Sequence, residues 1–142
     1  MSPCVAILAA AFNSDIVEPM ISEAQEAVRK AGGVVMQLVR VPGAYEIPLT
    51  AQLLLEKTEC DVLIILGYIE RGETLHGEIM GQVVHRSLLE LQLRAHKAMG
   101  LGIIGPGATL EQAQARKQAY ARAAVEAAMA HRATLQDLRL IE

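Results

Sequence analysis

The sequence predicts a three-layer, doubly wound α/β domain with a four-stranded parallel sheet, spanning residues 1–142 as one unit. Two observations carry this. Four short runs are apolar at consecutive positions rather than at alternate ones, the pattern of strands covered on both faces. Each run is followed by a stretch with helical apolar spacing, which gives the order β-α-β-α-β-α-β-α. Right-handed crossovers wind such an order onto both faces of one sheet.

The first strand covers residues 4–10. The helix after it runs over 14–31, with Asn13 or Ser14 as its cap and Gly32-Gly33 as its stop. Val17, Met20, Ile21, Ala24, Ala27 and Val28 make its apolar stripe. The second strand covers 34–39. Its helix covers 45–57 and carries Leu49, Leu53 and Leu54. Pro48 falls in the first turn of that helix, where a missing N–H is harmless. The third strand covers 61–66 and its helix 73–94. The fourth strand covers 100–105, and the helix over 109–132 is rich in alanine, which favours helix and close packing.

The third helix carries more apolar surface than one sheet can cover. Ile79, Met80, Val83, Val84, Leu88 and Leu91 make one face, and Leu75, Leu89 and Leu93 project from another side. A helix apolar over most of its circumference is buried on more than one side. In a chain of 142 residues the second cover is another subunit, so a homo-oligomer is expected.

Composition excludes several classes. Apolar residues make up 52% and charged residues 20%, with a net charge of −3 and only 3% aromatics, so neither disorder nor nucleic-acid binding fits. No apolar stretch reaches bilayer length, and the first residues lead straight into a strand, so no signal peptide is expected. Cys4 and Cys60 read as free thiols of a reducing, cytoplasmic setting. Neither has a nearby His or Cys at metal-ligand spacing, so no metal is expected.

In α/β sheets, ligands bind beyond the carboxyl ends of the strands. The segment Gly67-Tyr68-Ile69-Glu70-Arg71-Gly72-Glu73-Thr74-Leu75-His76 follows an apolar strand and opens a helix. Free backbone N–H groups at such a start attract anions, phosphate above all. Thr74 adds a hydroxyl and His76 a group that exchanges protons near neutral pH. The set suits chemistry on a phosphorylated small molecule.

Phe12, the only phenylalanine, also falls at a strand end. It reads equally as a ring that stacks on a heterocycle or as a core aromatic. The stretch Val41-Pro42-Gly43-Ala44 reads as a tight turn, and Glu46 as either a ligand contact or a first-turn acid that complements the helix dipole. Gly105-Pro106-Gly107 reads as a loop into the last helix. Arg116, two turns into that helix, reads as a solvated charge or as a phosphate contact for its own or a neighbouring subunit. His85, His96 and His131 lie on helices away from strand ends and read as structural.

Together, these motifs resemble the lumazine synthase family over nearly the whole chain. The resemblance rests on Ala11-Phe12-Asn13, Arg40-Val41-Pro42-Gly43-Ala44-Tyr45-Glu46-Ile47-Pro48-Leu49, Gly67 with Arg71-Gly72-Glu73-Thr74-Leu75-His76, and Leu110-Glu111-Gln112-Ala113-Gln114-Ala115-Arg116. Gly105-Pro106-Gly107 looks like the archaeal-type branch. The resemblance implies a flavodoxin-like fold and a cytoplasmic enzyme of riboflavin biosynthesis. Such an enzyme joins 5-amino-6-(D-ribitylamino)uracil to 3,4-dihydroxy-2-butanone 4-phosphate, giving 6,7-dimethyl-8-ribityllumazine without a metal or redox cofactor.

By resemblance, Phe12, beside Asn13, stacks on the pyrimidine. Ala44, Tyr45, Glu46, Tyr68, Ile69 and Glu70 hold its ring and ribityl groups. Glu73, Thr74 and Arg116 hold the phosphate, and His76 transfers protons. The family's sites lie between subunits of a pentamer, and some members build icosahedral shells. Three departures stand out. Gly77 occupies a place that is commonly aromatic. Leu101 stands where bacterial members present a neighbour's aromatic. In the last helix, the common Lys-Gly-x-Glu reads Ala123-Ala124-Val125-Glu126, with Arg122 as a substitute for the lysine. The competing readings are an assembly component, natural or engineered, with little activity, and the related archaeal riboflavin synthase.

Overall fold

The computed structural model describes residues 2–140. Its elements are β1 (Cys4–Ala10), α1 (Ser14–Lys30), β2 (Val34–Val41), a short 3₁₀ turn (Ala44–Glu46), α2 (Ile47–Lys57), β3 (Val62–Glu70), α3 (His76–Ala95), β4 (Ala98–Ala108) and α4 (Leu110–Arg139). The sheet is four-stranded, in the order β2-β1-β3-β4, and every pairing is parallel. This is the flavodoxin-like order, truncated at four strands.

Alternate β1 side chains point to opposite faces and define two apolar layers. Val5, Ile7 and Ala9 pack with α1 and α4, while Ala6, Leu8 and Ala10 pack with α2 and α3. The consecutive apolar run of the sequence is thereby explained for β1 and β3. It does not hold for β2, which forms the sheet edge and leaves Val34 and Met36 exposed.

The structure moves several boundaries. β3 continues through Gly67, Tyr68 and Ile69 to Glu70, because Gly67 and Tyr68 pair with Ile103 and Ile104 of β4. β4 takes in Gly105-Pro106-Gly107, so the expected loop is strand, with a register shift opposite Ile69. α3 begins at His76, not at residue 73, which leaves Glu73 and Thr74 in the turn before it. α4 extends to Arg139. Its start at Thr109 is a full capping box: Gln112 N–H donates to Thr109 Oγ1 at 3.2 Å, and Thr109 N–H donates to Gln112 Oε1 at 3.0 Å.

α3 rests on the sheet through Gly81, Val84, Leu88 and Leu91. Ile79 and Val83 join Leu75, Leu89 and Leu93 on the opposite, exposed arc rather than on the sheet face; Leu75 is 68% and Leu93 74% exposed. Asn13 caps α1 by its backbone in the left-handed region, φ 63°, which asparagine tolerates. Cys4 and Cys60 are free thiols. Among the described residues, no helix is long and apolar enough to cross a membrane.

Candidate active site

The strand order reverses between β1 and β3, and their carboxyl ends diverge there. The chain from β1 turns away beside the exit of β2. Ala11 N–H donates to Val41 O at 2.7 Å and Phe12 N–H to Pro42 O at 3.1 Å. These two bonds set Phe12 next to the turn that leads into Ala44–Glu46. The Phe12 ring is 53% exposed, so the core-aromatic reading fails.

A hollow of about 470 Å³ opens at this place. Phe12 comes from the end of β1, and Pro42, Gly43, Ala44 and Glu46 from the turn after β2. Tyr68, Ile69 and Glu70 come from the end of β3, and Gly72, Thr74, His76, Gly77 and Met80 from the turn and first helical residues after it. Eight residues singled out in the sequence therefore share one wall: Phe12, Ala44, Glu46, Tyr68, Ile69, Glu70, Thr74 and His76. Met80 was assigned only to an apolar helix face. Its i, i+4 spacing from His76 is the signal that finds it.

The turn at residues 71–75 divides this hollow from a second one of about 610 Å³, which Arg71, Glu73, Glu78 and Pro106 line. Gly72 and Thr74 border both. The Thr74 hydroxyl accepts a 3.3 Å hydrogen bond from His76 N–H, and α3 has no side-chain cap. The His76 N–H is thus taken up within the turn, and those of Gly77 and Glu78, without a backbone partner among the described residues, are helix-start groups of the kind that receive anions.

Other residues stand apart. Asn13 lies beside Phe12 but outside the wall. The Tyr45 ring meets His76 instead of the hollow. Glu73 faces the second hollow. Leu101 sits in mid-strand opposite Ile65, half-buried against the α2 and α3 layer. Arg116 is exposed on α4 and lines neither hollow. Arg122 donates to Glu23 Oε1 on α1 at 2.8 Å and ties two helices together.

The Tyr68 hydroxyl is also committed to the fold. It donates to Ala108 O at 3.0 Å, and burial, with a smaller contribution from Glu70, pushes its pKa above the usual phenol range. Two glycines fit by close approach. A Cβ at Gly77 would lie 2.6 Å from Glu70 O, and one at Gly81 would lie 2.4 Å from Pro106 Cδ. As α3 docks on the end of β3 here, position 77 has no room for a side chain.

The 6,7-dimethyl-8-ribityllumazine synthase family model matches residues 2–138. A 6,7-dimethyl-8-ribityllumazine synthase of Pyrobaculum arsenaticum is 38% identical over 88% of this chain and 83% of its own length. Those of Metallosphaera sedula and Staphylothermus marinus are each 40% identical over 87% of this chain and 82% of theirs. The family match over residues 2–138 takes in all three strand ends that build the hollow, and the chain belongs to the 6,7-dimethyl-8-ribityllumazine synthase family.

Proposed function

We propose that this chain is a transferase of riboflavin biosynthesis that condenses 5-amino-6-(D-ribitylamino)uracil with 3,4-dihydroxy-2-butanone 4-phosphate at the 470 Å³ hollow. The product is 6,7-dimethyl-8-ribityllumazine, and phosphate and water leave. One observation carries the assignment of the site: an exposed aromatic, a carboxylate, an anion-receiving turn and a histidine, from three separate strand ends, meet at the switch point of the sheet.

In this reading Phe12 stacks on the pyrimidine, and Ala44 and Glu46 hold the ribityl chain and ring edge. Ile69 and Glu70 offer strand-end groups to the same ring. The turn at residues 72–74 and the start of α3 hold the phosphate through backbone N–H groups. The uracil amine attacks the ketone carbon, one water leaves as the imine forms, and the phosphate is then expelled by elimination. The ribityl-bearing nitrogen attacks the remaining carbonyl, and loss of a second water closes the ring. His76, on the same wall, moves protons in imine formation and phosphate expulsion. The two reactants condense slowly unaided, so holding them together supplies most of the acceleration.

Arg116 and Leu101 serve the hollow of an adjacent copy, and the assembly is a pentamer or a shell of pentamers in the cytoplasm. The exposed arc of Leu75, Ile79, Val83, Leu89 and Leu93 supports an oligomer, since isolated chains rarely leave so large an apolar face to water. Incubating the protein with both substrates tests the reaction: lumazine absorbance and fluorescence should rise well above the uncatalysed rate, with phosphate release. A rate equal to the uncatalysed one would overturn the enzymatic reading. Native mass spectrometry of the same sample tests assembly, and a stable monomer would overturn the shared site.

A further inference from the structure

The Tyr45 and His76 rings meet edge to face, with centroids 6.1 Å apart and planes at 78°. Tyr45 belongs to the 3₁₀ turn after β2, and His76 opens α3, so the contact joins the exits of two different strands. Ala44 and Glu46, on either side of Tyr45, line the hollow, and Tyr45 itself does not. Its ring, 49% exposed, is turned to the histidine instead.

His76 needs such a contact. It is exposed, at the first position of its helix. Its backbone N–H bonds to Thr74, but among the described residues no hydrogen bond holds its imidazole. A ring free to rotate about two torsions spends part of its time turned away from the reacting atoms. An edge-to-face aromatic contact selects one orientation over its alternatives by roughly two- to ten-fold.

We infer that Tyr45 is a positioning residue: its ring holds the His76 imidazole in the orientation that serves the hollow, and it acts through the histidine rather than on the substrate. The inference rests on the assignment of His76 as the proton-transfer group. It requires the ring of Tyr45, not its hydroxyl.

The test uses the assembled full-length protein with three substitutions, Tyr45→Phe, Tyr45→Leu and Tyr45→Gln. In the substrate-free protein, the His76 imidazole proton resonances should keep their ring-current shift in Tyr45→Phe and lose it in the other two. In turnover, Tyr45→Phe should stay within about two-fold of the parent. Tyr45→Leu and Tyr45→Gln should lose roughly two- to ten-fold in kcat, with both KM values little changed. Two ring-deleting variants keep the test decisive if one of them fails to assemble.

Unaltered kcat in the ring-deleting variants would overturn the inference. So would a rise in KM at constant kcat, which would make Tyr45 a substrate contact. A Tyr45→Phe variant as impaired as Tyr45→Leu would move the role to the hydroxyl and also overturn it. The spectroscopic arm needs no turnover, so it separates the two assignments: wild-type kcat in His76→Ala removes the proton-transfer role, and His76 resonances indifferent to the loss of the Tyr45 ring remove the contact.

Discussion

The Tyr68 hydroxyl reaches across the sheet and donates to the carbonyl of Ala108, 3.0 Å away, where β3 and β4 leave regular register. The ring of Tyr68 lines the hollow while its polar end closes the strand pair behind it. A residue at the site wall is thus also a strut of the sheet.

Tyr68→Phe should therefore destabilise the fold by about 0.5–1.5 kcal/mol, the usual worth of one such bond, seen as a lower urea midpoint at unchanged slope. A second consequence follows from the raised phenol pKa. The folded state favours the protonated hydroxyl. The associated stability is complete below the ordinary tyrosine value of about 10 and is lost as pH rises through the higher folded value. The parent should lose stability over that alkaline interval more steeply than Tyr68→Phe does. Parallel alkaline unfolding curves would disprove the coupling.

Gly77→Ala sets two effects against each other. Alanine favours a helix over glycine by about 1 kcal/mol. The new Cβ, however, would lie 2.6 Å from the Glu70 carbonyl oxygen, a backbone atom that cannot swing aside. Overpacking of this kind costs about 1–3 kcal/mol, so net destabilisation is expected, with a drop in kcat because His76 is the preceding residue. A calorimetric Tm equal to or above the parent's would show that the start of α3 yields freely.

His76→Ala should slow turnover without emptying the site. General acid–base help is worth roughly 10²–10⁴-fold, and the loss should fall at or below the low end of that range, since juxtaposition of the reactants supplies most of the gain. Steady-state rates beside equilibrium binding of a pyrimidine analogue check this. Wild-type kcat from pH 6 to 8 would remove His76 from the chemistry.

Arg116→Ala should raise KM for the butanone phosphate by roughly ten- to a hundred-fold, the worth of a charge-assisted contact of about 1.5–3 kcal/mol. KM for the pyrimidine should change far less. Because Arg116 lines neither hollow of its own chain, mixing Arg116→Ala subunits with His76→Ala subunits should restore some activity at mixed interfaces. Equal effects on both substrates would argue against a phosphate role, and failure of the mixture against a shared site.

Most of the architecture was legible because buried parallel strands and helical stripes leave strong periodic marks. The ends of β3 and β4 were not. Gly67 reads locally as a turn, and so does Gly105-Pro106-Gly107, yet both stretches lie in strands. Hydrogen bonding to the partner strand outweighs local preference there, and a single chain's local pattern carries no record of its partner. Phe12 was ambiguous for a related reason. A lone aromatic at a strand end is equally at home in a core or on a ligand, and it is the hydrogen bonds of Ala11 and Phe12 to the β2 exit, which leave the ring exposed, that decide between them. Ile79 and Val83 were placed on the wrong face because an apolar stripe nearly as wide as the helix does not mark which side meets the sheet.

Among the described residues, every buried side chain is apolar or aromatic, and none carries a charge. Apart from the Tyr68 hydroxyl on Ala108 and the Cys60 thiol on Leu54, the interior therefore holds no polar side-chain partner that must be exchanged whenever the turns beyond the strands are re-equipped. A lineage can replace the turn after β2 or the segment before α3 and keep the same foundation beneath them. The reaction and the scaffold are then separable inheritances, and a descendant that abandons this chemistry can retain the sheet unchanged.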